Sequence, residues 1–243
     1  MSLNSLISYI SNSQIITELV KRIKNKNELN IVGSSRYAKS IIINSIAKKE
    51  NKDILLISPN EEIAYKWYGY FDSIDNRNVL CYPPSENLPY ASINKSKETE
   101  YSQLSVISKI IKKERKNINI IITTERSLQP HLIKNNQFKE NIFTLIKGYE
   151  LDIKELTKKL VLLGYNKENL TSQEGSWSRR GEIIDIYPVN NELPIRIEFF
   201  DNIIDKIREY DPITQKTLDS IDKVEIVQVG YNLFIRKKLI ELS

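Results

Sequence analysis

Residues 176–188 read Ser-Trp-Ser-Arg-Arg-Gly-Glu-Ile-Ile-Asp-Ile-Tyr-Pro, and residues 194–200 read Pro-Ile-Arg-Ile-Glu-Phe-Phe. These stretches decide the fold of the second half of the chain, because polar and apolar side chains alternate along 194–200 and again along 204–210. A period of two puts the apolar side chains on one face of a sheet and leaves the other face to solvent. With a helix predicted over 153–163 and a closing strand over 224–227, the pattern predicts a smaller α+β domain with an antiparallel or mixed sheet.

The first half of the chain has a different pattern. Its apolar runs at 29–32, 54–57, 79–82 and 118–122 are continuous rather than alternating, and helical patterns separate most of them. Continuous apolar strands joined by helices are typical of a parallel sheet that is covered on both faces. The sequence therefore predicts an α/β fold for this half, and the change of pattern falls near Gly148.

The segment after the first predicted strand is similar to a phosphate-binding loop. Residues 33–40 read Gly-Ser-Ser-Arg-Tyr-Ala-Lys-Ser, where such a loop has a glycine, four residues, glycine-lysine and a hydroxyl residue. Gly33, Lys39 and Ser40 match the pattern, in which the lysine reaches the phosphates and the hydroxyl holds magnesium. Ala38 replaces the second glycine, and a Cβ where φ must be positive costs about 1 kcal/mol or more. Glu125 is the weak candidate for the acidic strand-end residue that an ATPase needs. We therefore interpret the segment as a degenerate nucleotide loop.

Composition excludes several classes of protein. One cysteine (Cys81) and one histidine (His131) in 243 residues exclude disulfide frameworks and ordinary zinc sites, and we assign no catalytic residue and no metal ligand. No apolar run reaches the about 18 residues of a spanning helix, and no secretion signal opens the chain, so we expect a cytoplasmic protein. The net charge of +5 comes from mostly scattered lysines, which supports a general DNA-binding module only weakly.

The second half closely resembles a module that the excision-repair helicase UvrB shares with the transcription-repair coupling factors (Mfd). The resemblance rests on Arg-Gly at 180–181, Ile-Asp-Ile-Tyr-Pro at 184–188, Arg-Ile-Glu-Phe-Phe at 196–200 and Asp-Pro-x-Thr at 211–214. The run Pro-Pro-Ser-Glu-Asn-Leu-Pro-Tyr at 83–90 and the degenerate loop favour the coupling factors. UvrB, in contrast, carries an intact loop and a tyrosine-rich hairpin that wedges into DNA. The chain therefore resembles the N-terminal, UvrB-like region of the coupling factor family.

This resemblance implies domain limits and partners. It implies a degenerate P-loop lobe of the RecA or helicase type over 1–148, a UvrB/UvrA interaction domain over 149–231, and the truncated start of a returning segment over 232–243. It implies that the chain recruits UvrA to lesions where RNA polymerase has stalled, without catalysis or a cofactor of its own. In the complete family member, further domains bind RNA polymerase and duplex DNA, and ATP with magnesium drives translocation.

The family's UvrA-docking residues fall on Arg180, Arg196 and Phe200 of this chain. We expect them to form one exposed patch, so that Arg196→Ala changes the free energy of unfolding by less than about 0.5 kcal/mol. Guanidinium groups can pair with carboxylates of a partner, and an aromatic ring can fill a pocket. As the alternative for these arginines, Asp185 or Glu198 holds them in ion pairs within the chain. The alternative function is a UvrB-type ATP-dependent helicase lobe that binds ATP and damaged DNA.

Overall fold

The computed structural model of the protein describes residues 3–26, 28–74, 79–84, 97–112, 118–128 and 135–230. The chain divides into two compact units, the first formed by 1–84 with 113–130 and the second by 85–112 with 131–243. Each unit has its own sheet and core. None of the described helices is both long enough and apolar enough to cross a membrane.

The described helices and strands follow one another along the chain. In order they are α1 (Leu3–Ser11), α2 (Gln14–Lys26), α3 (Arg36–Glu50), β1 (Ile54–Ser58), α4 (Glu61–Asp72), β2 (Val79–Cys81), α5 (Lys97–Ile111), β3 (Ile120–Thr124), α6 (Asn135–Lys139), β4 (Phe143–Ile146), α7 (Ile153–Leu162), β5 (Asn166–Lys167), β6 (Ser176–Arg180), β7 (Ile183–Ile186), β8 (Ile195–Phe200), β9 (Ile203–Tyr210), β10 (Thr217–Ile221) and β11 (Lys223–Ile226).

The first unit contains a parallel sheet of three strands in the order β1-β3-β2. Its core includes Ala64 and Phe71 of α4 and Ile122 of β3, all at most 3% exposed. The predicted strand at 29–32 was wrong, because these residues are irregular and Val32 is 86% exposed. An apolar run forms a strand only where a neighbour completes its backbone hydrogen bonds, and 29–32 pairs with none of the described strands. The parallel sheet is thus smaller than the sequence predicts.

The second unit contains the predicted mixed sheet. Its order is β10-β9-β8-β7-β6-β5, with β5 and β6 parallel and the remaining neighbours antiparallel. One face of this sheet packs against α7 and the antiparallel pair β4 and β11, which fill a single apolar core. Ile184 and Ile197 from the sheet and Leu156 and Leu160 from α7 have no exposed surface in this core. We call this face the inner face and the opposite one the outer face.

A bulge in β9 sets which side chains reach the outer face. Glu198 pairs with Lys206 but the next residue, Phe199, pairs with Ile204, so that Asp205 is an extra residue in β9. The bulge lets Phe199 and Ile204 both point into the core, where they are 5% and 1% exposed. Phe200 and its partner Ile203 consequently both face outward at the end of the hairpin.

Gly164, just after α7, provides a test of this packing. Its φ is +89°, and a Cβ there would lie 2.6 Å from the carbonyl oxygen of Val229. We expect Gly164→Ala to destabilise the second unit by about 2 kcal/mol, through both the left-handed backbone and the clash. Gly181→Ala is the matched control, because Gly181 also has a positive φ of +62° but nothing within 4 Å of its added Cβ. Urea unfolding should show a loss of about 1 kcal/mol for this control, and equal losses would contradict the predicted clash.

Some sequence-based interpretations stay predictions. The domain limits 1–148, 149–231 and 232–243 are not decided by the compact units, since the second unit also includes 85–112. Residues 232–243, His131 and most of the Pro-rich run at 83–90 lie outside the described residues.

Candidate partner-docking surface

Two rows of side chains cross the outer face of the six-stranded sheet. Register places Ser178, Asp185, Arg196 and Arg208 opposite one another on β6, β7, β8 and β9. The second row is Arg180, Ile183, Glu198 and Lys206 on the same four strands. Directly opposed residues on neighbouring strands share a face, so these rows bring together residues that are far apart in sequence.

Asp185 connects the two arginines predicted for partner binding. Arg196 donates from Nε to Oδ1 of Asp185 at 2.8 Å and from Nη2 to Oδ2 at 2.9 Å. Arg180 donates from Nη2 to the same Oδ2 at 3.1 Å. Asp185 is only 1% exposed, so one buried carboxylate accepts three hydrogen bonds from two cations. We call Asp185, Arg180 and Arg196 the carboxylate hub.

The Arg196 guanidinium is also held from its other sides. Its Cζ lies 4.5 Å from the ring centre of Tyr210, and Nη2 donates to Oε1 of Gln215 at 3.2 Å. Tyr210 is fully buried, and its hydroxyl donates to the carbonyl of Thr171 at 3.1 Å. The hydrogen bonds to Asp185 raise the pKa of Arg196, against the opposing effect of burial, so it stays a cation. For the Tyr210 hydroxyl, in contrast, burial raises the pKa, so this group stays neutral.

The three predicted docking residues differ in exposure. The side chain of Arg180 is 56% exposed and Phe200 is 71% exposed, whereas the side chain of Arg196 is 15% exposed. Arg180 and Phe200 are therefore exposed as expected, whereas the expected exposure was wrong for Arg196, and the assignment of the three residues to partner docking stays a prediction. The low exposure of Arg196 has a physical reason: its guanidinium is paired with Asp185 and donates a hydrogen bond to Gln215. The ion pair within the chain, stated above as the alternative, is present.

Phe200 has an apolar neighbour on the same face. Its cross-strand partner Ile203 is 45% exposed, and the two residues flank the turn at Asp201-Asn202. Next along the hairpin are Glu198 and Arg208, which form an ion pair of 2.7 Å, and Lys206, whose side chain is 52% exposed. The outer face thus presents an apolar pair at one end and exposed cations beside it.

The degenerate nucleotide loop is short and leads directly into α3. Gly33 has a φ of +76°, and α3 begins at Arg36, so the residues that would form the cradle are already helical. The amide of Ala38 donates to Oγ of Ser35 at 3.2 Å, and the amide of Lys39 donates to the Ser35 carbonyl at 3.0 Å. Ser40 is buried and donates its hydroxyl to the carbonyl of Tyr37 at 2.7 Å. Two of the amides and the hydroxyl that a phosphate loop directs towards its ligand are therefore bonded within the first turn of α3 and its N-cap.

This arrangement predicts that the chain does not bind ATP measurably. Releasing the Ala38 and Lys39 amides would break the first turn of α3, and Ala38 cannot supply the backbone freedom of a glycine. Calorimetric titration with ATP and magnesium should give no heat of binding. A low-micromolar dissociation constant would contradict this prediction and support the helicase alternative.

The sequence analysis did not identify the residues that surround the hub. Tyr210 and Gln215 contact Arg196, and Thr171 accepts a hydrogen bond from Tyr210, yet none of the three was assigned a role in the site. The sequence did contain a signal for the contact with Tyr210. Once β8 and β9 are paired, Arg196, Arg208 and Tyr210 occupy positions that point to the same face of the sheet.

The fold and the hub define a recognised class of domain. Residues 143–229 match the family model described as the UvrB interaction domain. This range includes β4 to β11 and α7, and therefore the whole carboxylate hub.

The chain is also similar to transcription-repair-coupling factors over most of its length. It is 32% identical over 219 residues to the factor of Staphylococcus haemolyticus, which covers 90% of this chain and 18% of the relative. It is 29% identical over 197 residues to the factor of Bacillus subtilis, which covers 81% of this chain and 16% of the relative. The factor of Haemophilus influenzae is 25% identical over 190 residues, which covers 78% of this chain and 16% of the relative. The chain thus contains a UvrB interaction domain and is similar over most of its length to transcription-repair-coupling factors, of which it spans less than a fifth of the length.

Proposed function

We propose that this chain recruits UvrA to lesions where RNA polymerase has stalled, by docking UvrA on the outer face of the six-stranded sheet. The single observation that carries the proposal is the carboxylate hub inside the UvrB interaction domain, in which Asp185 joins Arg180 and Arg196, two of the three positions that the resemblance gives as docking residues. Arg180, Arg196 and Phe200 lie on this one face.

The chemistry of the face suits a protein partner. Arg180 and Lys206 are exposed cations, and Phe200 with Ile203 offers an apolar anchor fixed on a hairpin. Arginines and large aromatic residues contribute most to interface energies, especially where polar groups surround them. We expect the partner to present carboxylates opposite Arg180 and an apolar pocket opposite Phe200.

In this proposal the chain contributes recruitment and no catalysis. The degenerate loop supports this division, because the Ala38 and Lys39 amides and the Ser40 hydroxyl are bonded within the first turn of α3 and its N-cap. Binding of RNA polymerase, translocation on duplex DNA and the use of ATP with magnesium would belong to other parts of a longer protein, in keeping with the small share of each relative that the chain spans.

The test is a calorimetric titration of the chain with purified UvrA and, separately, with duplex DNA. We expect saturable UvrA binding that persists at physiological salt. Because the basic residues are scattered, DNA binding should be weak, should fall steeply as salt rises and should show no preference for a lesion. Absence of UvrA binding at physiological salt would contradict the proposal, whereas salt-resistant binding to damaged DNA would favour the helicase alternative.

A further inference from the structure

We propose that Arg196 is a positioning residue, which holds the Asp185 carboxylate so that Arg180 keeps its guanidinium free for UvrA. The inference rests on the proposed function and assigns different roles to the two arginines. Arg180 would contact the partner directly, and Arg196 would act on the partner only through Asp185 and Arg180.

Geometry separates the two arginines. A guanidinium has five N–H donors, and Arg180 directs a single one at Asp185 while more than half of its side chain is exposed. Arg196 uses its Nε and Nη2 on Asp185, contacts Gln215 as well, and lies over the ring of Tyr210. With its side chain only 15% exposed, Arg196 has little surface to offer a partner.

The shared carboxylate couples the two arginines. Arg196 engages both oxygens of Asp185 in the fork geometry that planar guanidinium and carboxylate groups prefer. This pairing fixes the plane of the carboxylate and neutralises its charge. Arg180 therefore makes a single hydrogen bond to Asp185, and more than half of its side chain stays exposed. Arg196 therefore determines where the Arg180 guanidinium lies.

Loss of Arg196 would change the position of Arg180. The Asp185 carboxylate would stay buried, and Arg180 would be the cation already in contact with it. Because a buried carboxylate strongly favours a paired arginine, Arg180 would turn inward and form the two-point contact itself. Its donors would then no longer be available to UvrA, although Arg196 never touched the partner.

A double-mutant cycle tests this role. UvrA is titrated against wild-type protein, Arg180→Ala, Arg196→Met and the double variant, at a temperature where circular dichroism shows every protein folded. We expect each single variant to weaken binding about tenfold, as for an interface hot spot, and the double variant to weaken it by about the same factor. Losses that multiply to about a hundredfold would overturn the proposal, because they would mean independent contacts. Unchanged binding of Arg196→Met would overturn it as well.

Two further variants separate positioning from folding. Arg196→Lys keeps the positive charge but not the fork, so it should weaken UvrA binding in the wild-type background and have no effect in the Arg180→Ala background. Asp185→Asn combined with Arg196→Met removes the buried charge that would draw Arg180 inward, and it should restore binding to within about threefold of wild type. Failure of this rescue would contradict the inference. If wild-type protein does not bind UvrA, the proposed function fails; if Arg180→Ala and Phe200→Ala lose binding and Arg196→Met does not, only the positioning role fails.

Discussion

Replacing Arg196 with methionine is expected to lower the free energy of unfolding of the second unit by about 3 kcal/mol. Asp185 is 1% exposed and receives two of its three hydrogen bonds from Arg196. Removing one partner of a buried ion pair leaves an incompletely compensated charge and costs about 3–5 kcal/mol, and the remaining bond from Arg180 places this case at the lower end. Methionine keeps an apolar stem of similar length and removes the guanidinium, so the loss reports mainly on the charged group.

Urea unfolding in a Trp67→Phe background measures this effect in the second unit, which contains Trp177. The chain has two tryptophans, and Trp177 of β6, 3% exposed, would then be the only tryptophan whose fluorescence reports unfolding. Arg179→Met is the matched control, because Arg179 is exposed and donates to the carbonyl of Gly181 at the strand end. The control should change the unfolding free energy by less than about 0.5 kcal/mol. A loss this small for Arg196→Met would show that the hub is not a stabilising network.

Replacing Phe200 with alanine is expected to weaken UvrA binding by at least about 2 kcal/mol, or roughly thirtyfold, which is the size of an interface hot spot. Phe200 is 71% exposed, so its loss should change the free energy of unfolding by less than about 0.5 kcal/mol. Binding energy and stability would therefore separate at this position, in contrast to Arg196.

Leu218→Ala is the control for Phe200→Ala. Leu218 is also a large apolar residue of the same sheet, 51% exposed on the edge strand β10, but it lies outside the two rows and the apolar pair. Titrations of UvrA should show nearly unchanged affinity for this variant. Equal losses for Leu218→Ala and Phe200→Ala would mean that general surface hydrophobicity, rather than a defined anchor, drives the association.

The sequence predicted those strands whose side chains alternate. The predicted strands at 182–187, 194–200 and 204–210 correspond to β7, β8 and β9, and the last two have the alternating apolar residues that a one-sided core requires. The strand β6 was not predicted, since Ser176 and Ser178 are polar and yet buried. Ser178 can be buried because its hydroxyl lies 3.0 Å from that of Thr171, a contact that no local pattern reveals.

The exposure of Arg196 could not be predicted for a related reason. Alternation places Arg196 on the polar face, and a polar face normally means solvent. Here the Arg196 guanidinium lies over the ring of Tyr210 and donates to Gln215, and both residues are more than ten positions away in the sequence. The family motif located the residues of the site, whereas the burial of Arg196 depends on long-range contacts that only the folded chain defines.

The most direct test of UvrA docking on the outer face is a titration of purified UvrA with wild-type protein and with the Arg180→Ala, Phe200→Ala double variant. Both side chains are more than half exposed, so the double variant should remain folded by circular dichroism. We predict saturable binding of wild type and a loss of at least about a hundredfold in the double variant, as for two hot-spot residues on one surface. Wild-type affinity in the folded double variant would contradict the proposed docking surface.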